Sequence, residues 1–118
     1  MVLVVDDHPD TCTLLTRVLR RAGFEAEFVT SGVDAIAFLS RRLPQVVVLD
    51  VMMPDMDGID TLRAMRDEER SRDVPVLMYS ADASHDRMGE ALREGAQGYL
   101  VKGTVDWDEL LAAVRRFA

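Results

Sequence analysis

VLVVDD (residues 2–7) and VVVLD (46–50) decide the fold. Each is a short, continuous apolar run, rich in β-branched residues, that turns acidic at its end. A strand with one wet face alternates apolar and polar residues; a run with no polar position suits a strand buried on both faces, as in a parallel sheet. Two further runs have the same form, VPVLMY (74–79) ending in Ser80 and GYLV (98–101) ending in Lys102. A fifth, EAEFV (25–29), alternates and suits an edge strand.

Helical patterns separate these runs. Segment 10–22 places Leu14, Leu15, Val18 and Leu19 on one stripe and meets Gly23, a helix-stop signal. Segments 33–42 (Ala35, Ile36, Leu39), 58–69 (Ile59, Leu62, Met65), 85–94 (Met88, Ala91, Leu92) and 106–117 (Leu110, Leu111, Val114, Phe117) repeat the helical spacing. Strand–helix alternation five times over predicts an α/β fold with a central parallel sheet and helices on both faces. The 118 residues fit one domain, 1–118, at roughly 100–200 residues per domain.

Composition narrows the function. Hydrophobic residues are 48% and charged residues 30%, which places the chain among globular proteins. With 21 Asp and Glu against 14 Lys and Arg, the formal charge of -7 argues against a surface built for direct nucleic-acid binding. Cys12 is the single cysteine, too few for a disulfide framework or a cysteine zinc site. No apolar run approaches the roughly 18 residues of a membrane span, and the opening segment lacks the basic start of a signal peptide, so a cytoplasmic location is expected. Lys102 is the only lysine; the other basic residues are arginines.

The polar residues carry the informative pattern. Asp6, Asp7, Asp50, Ser80 and Lys102 each follow an apolar strand directly. Open parallel sheets bind ligands beyond the carboxyl ends of their strands. One edge therefore receives three carboxylates, one hydroxyl and one ammonium. Two carboxylates about 4 Å apart repel by about 4 kcal/mol at an effective dielectric of 20, so three together require counter-charge. Lys102 supplies one unit and a hard divalent cation two. Oxygen donors without cysteine suit Mg²⁺, which keeps waters for a phosphate partner. A carboxylate between Mg²⁺ and an ammonium is placed to attack a phosphoryl group, with Ser80 able to hydrogen-bond the product.

These residues resemble the response-regulator receiver domains of two-component signalling, over essentially the whole chain. VLVVDD resembles the first strand with its acidic pair, LDVMMPDMDG (49–58) the phosphorylation-site segment with Gly58 eight after the aspartate, Ser80-Ala81 the hydroxyl residue followed by a small one, and EGAQGYLVK (94–102) the approach to the fifth strand. The resemblance implies a flavodoxin-like sheet of order 2-1-3-4-5. It implies Asp50 as phosphoacceptor, with Asp7, Asp50 and the backbone carbonyl of Met52 as Mg²⁺ ligands and Asp6 acting largely through water. Lys102 and Ser80 would bind the phosphoryl group, and Tyr99 stands where the family has a rotating aromatic. The implied partner is a histidine kinase or histidine phosphotransfer protein. Homodimerisation through helix four, strand five and helix five is plausible for the family. The protein would be a phosphoacceptor that assists its own phosphorylation and dephosphorylation rather than an enzyme in the usual sense.

One position departs from the pattern. The family usually follows the lysine with a proline in a cis bond, and here Gly103 follows. A non-proline cis bond costs about 2.5–4 kcal/mol, so a trans Lys102–Gly103 bond, or an unusually mobile loop, is expected. Two alternatives stand beside the receiver reading: an interaction module of the same fold that is never phosphorylated, and a small phosphohydrolase with an aspartyl-phosphate intermediate. The second lacks the carboxylate such enzymes carry two residues after the nucleophile, where Met52 stands. Other residues have plainer readings. His8, after the acidic pair and near the mouth of the site, reads as a polar loop residue rather than a metal ligand, His85 as a helix-start surface residue, Cys12 as a helix residue without a role, Trp107 as packing or partner contact, and Asp55 and Asp57 as the acidic start of the third helix rather than metal ligands.

Overall fold

Val2–Val5 and Val46–Leu49 carry no polar side chain, and a parallel pair can satisfy their backbones while hiding both faces. In the computed structural model, which describes residues 1–117, they form β1 (Val2–Val5) and β3 (Val46–Leu49), buried at every residue. β2 (Ala26–Val29), β4 (Val76–Ser80) and β5 (Gly98–Val101) complete one sheet in the order β2-β1-β3-β4-β5, all parallel. Five helices alternate with the strands: α1 (Pro9–Arg21), α2 (Gly32–Arg41), α3 (Gly58–Asp67), α4 (His85–Arg93) and α5 (Trp107–Arg115). The expected fold class and strand order are those observed.

Successive strand residues point to opposite faces. Leu3, Val5, Val47 and Leu49 pack with Leu39, Ile59, Leu62 and Met65, so α2 and α3 cover one face, joined by Ala91 of α4. Val2, Val4, Val46 and Val48 pack with Leu15, Leu19, Leu110 and Val114, so α1 and α5 cover the other. From β1 the chain first steps to β2 on one side, then crosses to β3 on the other. The carboxyl ends of β1 and β3 therefore border the crevice where the winding reverses, the place an open sheet reserves for ligands.

Side-chain caps fix four helix starts. The side chains of Ser31, Asp57, Ser84 and Asp106 each accept from the amide three residues on, and Asp57 forms a reciprocal capping box with Asp60. Asp57 thus begins α3 as expected. Asp55 does not; it lies in the preceding loop with φ +65°, a left-handed conformation that Asp tolerates better than most residues.

Four further expectations need correction. The buried stripe of α1 is Cys12, Leu15, Thr16 and Leu19, and Leu14 faces water. Thr16 enters the core because its hydroxyl donates to the Cys12 carbonyl at 2.9 Å, so burial leaves no donor unmet. β5 is only half-buried, because it is an edge strand rather than an inner one. β4 begins at Val76 rather than Val74 and includes Ser80, which pairs with Val101. On α4, Ala91 is buried but Leu92 faces solvent.

Candidate functional site

Strand register brings the polar ends together. The Asp50 amide donates to the Val5 carbonyl at 2.9 Å, and the Lys102 amide to the Ser80 carbonyl at 2.8 Å. Each residue that follows or ends a strand is thus clamped to its neighbour before its side chain is considered. Asp6, Asp50 and Ser80 are almost completely buried, at 1%, 3% and 0% exposure. Lys102 Nζ donates to Asp6 Oδ2 at 2.7 Å and to Asp50 Oδ2 at 3.3 Å. It also lies 5.6 Å from the centre of the Tyr79 ring. The other Asp50 oxygen accepts from the Met52 amide at 3.3 Å. The Met52 side chain is exposed.

The electrostatics follow from this crowding. Burial, then the charge of Asp6, raises the Asp50 carboxyl above its ordinary value, against the opposing pull of Lys102. For Lys102, burial works against the ammonium, but the hydrogen bond to Asp6 and the charges of Asp50 and Asp6 outweigh it and raise its pKa. Burial, with Asp6 nearby, pushes the Cys12 thiol up to about 11. That thiol donates to the Asp6 carbonyl at 3.2 Å, so Cys12 supports the β1 end as a neutral group.

One charged oxygen here has no donor. Asp7 Oδ1 is buried and makes no hydrogen bond. Buried polar atoms are paired in nearly all proteins, and an orphaned carboxylate oxygen fits a cation. Asp6, Asp7, His8 and Asp50 each offer a donor atom, and the four atoms lie within 4.8 Å of one another. The donor set therefore fits a divalent ion.

The remaining residues border the cleft. Ser80 Oγ accepts from the Asp82 amide at 3.2 Å, and the Tyr99 hydroxyl donates to the Asp82 carbonyl at 2.5 Å. Both thereby hold the loop between β4 and α4. Burial raises the Tyr99 pKa, so the phenol stays a donor. Arg87 of α4 joins the two loops flanking the opening, 4.0 Å from Asp57 Oδ2 and from Asp82 Oδ2. The Lys102–Gly103 bond is trans, as expected, and Gly103 has φ +85°, a conformation that favours glycine. The amine is seated between Asp6 and Asp50 with this turn in place.

Sequence reasoning missed two of these contacts. Tyr79 under the amine and Arg87 at the opening are visible only once strand ends and loops are juxtaposed. The pairing of β4 with β5, which brings Tyr79 and Lys102 close, was the one signal for Tyr79.

Gly58 explains its own identity. A Cβ there would lie 2.0 Å from the Asp50 carbonyl oxygen and 2.8 Å from Val51 Cα, both backbone atoms that cannot rotate away. Helix propensity alone would favour Gly58→Ala by about 1 kcal/mol at this first residue of α3. The close approach reverses the sign. Gly58→Ala is expected to destabilise by about 2–3 kcal/mol, the range of overpacked cores, and to lower the melting temperature by roughly 10 °C. A thermal melt at or above that of the parent would show that the loop has room.

The doubly wound sheet with an acidic, lysine-bearing edge is that of the flavodoxin-like class. Within it, the chain belongs to the response regulator receiver domain family, whose sequence profile matches residues 2–115. It is 40% identical over 114 residues to the transcriptional regulatory protein PrrA of Mycobacterium tuberculosis, an alignment spanning 97% of this chain and 48% of PrrA. The chain thus spans about half the length of the PrrA proteins it matches. Its fold superposes on the chemotaxis protein CheY4 of Vibrio cholerae with a TM-score of 0.91, at 31% identity, covering 99% of this chain and 97% of that one. The receiver domain of sensor histidine kinase PA1611 from Pseudomonas aeruginosa, described with a magnesium ion coordinated in its active-site cleft, matches with a TM-score of 0.88 at 28% identity, covering 98% and 94%. The chain is a receiver domain of two-component signalling. No helix among the described residues is long and apolar enough to cross a membrane.

Proposed function

We propose that this receiver domain accepts a phosphoryl group on Asp50 from a phosphohistidine of a histidine kinase or phosphotransfer protein. The observation that carries the reading is the seat of Lys102 Nζ between the buried carboxylates of Asp6 and Asp50, beside the orphaned Asp7 oxygen. An Asp50 oxygen attacks phosphorus, the P–N bond breaks, the imidazole departs with its electron pair, and an acyl phosphate remains. Asp7, Asp50 and the Met52 carbonyl would hold Mg²⁺, with Asp6 acting largely through water. The ion would neutralise charge on the phosphoryl oxygens. Lys102 then transfers its donors from Asp50 towards the phosphoryl group, and the Ser80 hydroxyl, released from Asp82, donates to it.

The consequence is a changed surface. Phosphorylation adds roughly −1.5 to −2 charges by analogy with the common phosphoresidues, enough to re-pair Lys102 and Ser80. Ser80 and Tyr99 both bind the β4–α4 loop through Asp82, so moving Ser80 moves that loop. The surface affected is α4, β5 and α5, with Leu92 and Trp107 exposed on it, and a second copy or a target protein would read it. A cytoplasmic setting suits such a partner. The test is the intact mass of the chain after incubation with a small phosphodonor, with and without Mg²⁺, followed by peptide mapping. The expected result is a Mg²⁺-dependent gain of one phosphoryl group on Asp50. No gain under any condition would leave an interaction module, and sustained turnover of a phosphomonoester would revive the phosphohydrolase.

A further inference from the structure

His8 stands at the acidic edge, and this mechanism leaves it unused. It holds the N-cap position of α1, where Ser, Thr, Asn or Asp would bind a free helix amide, yet it makes no such cap. Its backbone is fixed on both sides: its N–H donates to Asp6 Oδ1 at 2.9 Å, and Pro9 follows at the first helical position. The ring consequently stands over the acidic pair. Nδ1 hydrogen-bonds Asp6 Oδ1 at 3.2 Å and stands 3.2 Å from Asp7 Oδ1. The Asp7 contact is not a hydrogen bond, since that oxygen has no partner. Two atoms bound side by side to one divalent ion at about 2.1 Å stand about 3 Å apart, so the spacing of Nδ1 from Asp7 Oδ1 is that of neighbouring ligands.

We propose that His8 is a nitrogen ligand of this cation site through Nδ1, and that it makes the site select borderline divalent transition ions such as Co²⁺ and Zn²⁺ over Mg²⁺. The proposal rests on the reading of the acidic edge as a cation site. Carboxylates and water suit Mg²⁺, whereas imidazole suits the transition ions. Ligation through Nδ1 replaces its hydrogen bond to Asp6 and takes the neutral tautomer with the proton on Nε2. The side chain is 69% exposed, so water can meet that proton. The three carboxylates supply charge for any of these ions, and His8 supplies the discrimination between them.

Calorimetric titration of the whole chain with Mg²⁺ alone and with Co²⁺ alone tests this, on the parent, His8→Ala and His8→Asp. Transition ions bind more tightly than Mg²⁺ at most sites, so the deciding quantity is how the ratio of the two affinities changes. The expected result is a fall of at least about tenfold in Co²⁺ affinity in His8→Ala, with Mg²⁺ affinity changed by less than about twofold. The visible absorption of bound Co²⁺ should shift as the nitrogen donor is lost. His8→Asp should hold Mg²⁺ at least as well as the parent without recovering the Co²⁺ preference. An unchanged ratio in His8→Ala, with Mg²⁺ binding intact, would overturn the ligand role while leaving the cation site standing. Absence of Mg²⁺ binding to the parent would overturn both.

Discussion

Asp50→Asn is expected to take up no phosphoryl group from any donor and yet to melt several degrees above the parent at neutral pH. The first half follows from chemistry: an amide is no nucleophile towards phosphorus, and neither Asp6 nor Asp7 stands where Asp50 does. The second half follows from burial. Asp50 is 3% exposed, and burial together with Asp6 raises its pKa. A carboxyl whose folded pKa lies above its unfolded value disfavours the fold wherever it is ionised in both states. The penalty is therefore present at neutral pH and fades as pH falls through the folded value. Asn removes it and keeps a similar shape. Losing the 3.3 Å contact with Lys102 offsets part of the gain. A net gain of about 1 kcal/mol corresponds to roughly 4 °C. The gain should shrink in acid, where the parent carboxyl takes up its proton. Mg²⁺ should reverse the ranking, because an ion present at a hundred times its Kd for the folded parent adds about 2.7 kcal/mol, and the variant has lost the charge of one of its ligands. Melts across pH, with and without Mg²⁺, check each part. A variant less stable than the parent without Mg²⁺ would mean that Asp50 is well paired rather than strained.

Much of this was legible in the sequence, and for a physical reason. An inner parallel strand must be apolar on both faces, so β1 and β3 appear as unbroken runs and the residue that ends each run marks the binding edge. Hence Asp6, Asp7, Asp50, Ser80 and Lys102 could be placed on one edge before any coordinate. β2 was legible as an edge strand, but the alternation that suggested it breaks at Phe28, which is exposed beside Glu27. What stayed hidden depends on reach rather than on pattern. Lys102 prefers Asp6, at 2.7 Å, over Asp50, at 3.3 Å, and no spacing in the chain encodes that choice. The buried stripe of α1 was misread because Cys12 and Thr16 look polar until each finds a backbone carbonyl. His8 looked like a loop residue because its proximity to Asp7 depends on how α1 begins.

Lys102→Met is expected to cost stability in the absence of divalent ions, to recover most of it with Mg²⁺, and to slow phosphorylation by two to three orders of magnitude. Methionine keeps the length of the stem and removes the charge. The amine serves two carboxylates that are 2% and 3% exposed, while its own side chain is 22% exposed. Removing one partner from a buried ion cluster costs about 3–5 kcal/mol because the charges left behind are unmatched. About 3 kcal/mol suits this partly open site, or roughly 10 °C in melting temperature. The pH dependence has a definite sign. Lys102 has its pKa raised in the folded state, so its stabilisation is full below the unfolded value of about 10.4 and is lost only as pH rises through the folded one. The deficit of the variant therefore persists through the neutral range and closes in strong alkali. It also narrows in acid, where protonation of the carboxyls removes the need for a counter-charge. A divalent ion brings two positive units to the same oxygens, so Mg²⁺ should bind the variant at least as tightly as the parent and restore the melt. It cannot restore the rate, because the lysine donors meet charge that develops on the phosphoryl group, and loss of one such donor costs about 10²–10³. Melting curves and phosphodonor time courses, each with and without Mg²⁺, separate the two roles. A rate that Mg²⁺ fully rescues would reduce Lys102 to a counter-ion. A melt that Mg²⁺ fails to rescue would mean that the directed hydrogen bonds of the ammonium to Asp6 and Asp50, and not its charge alone, hold this edge together.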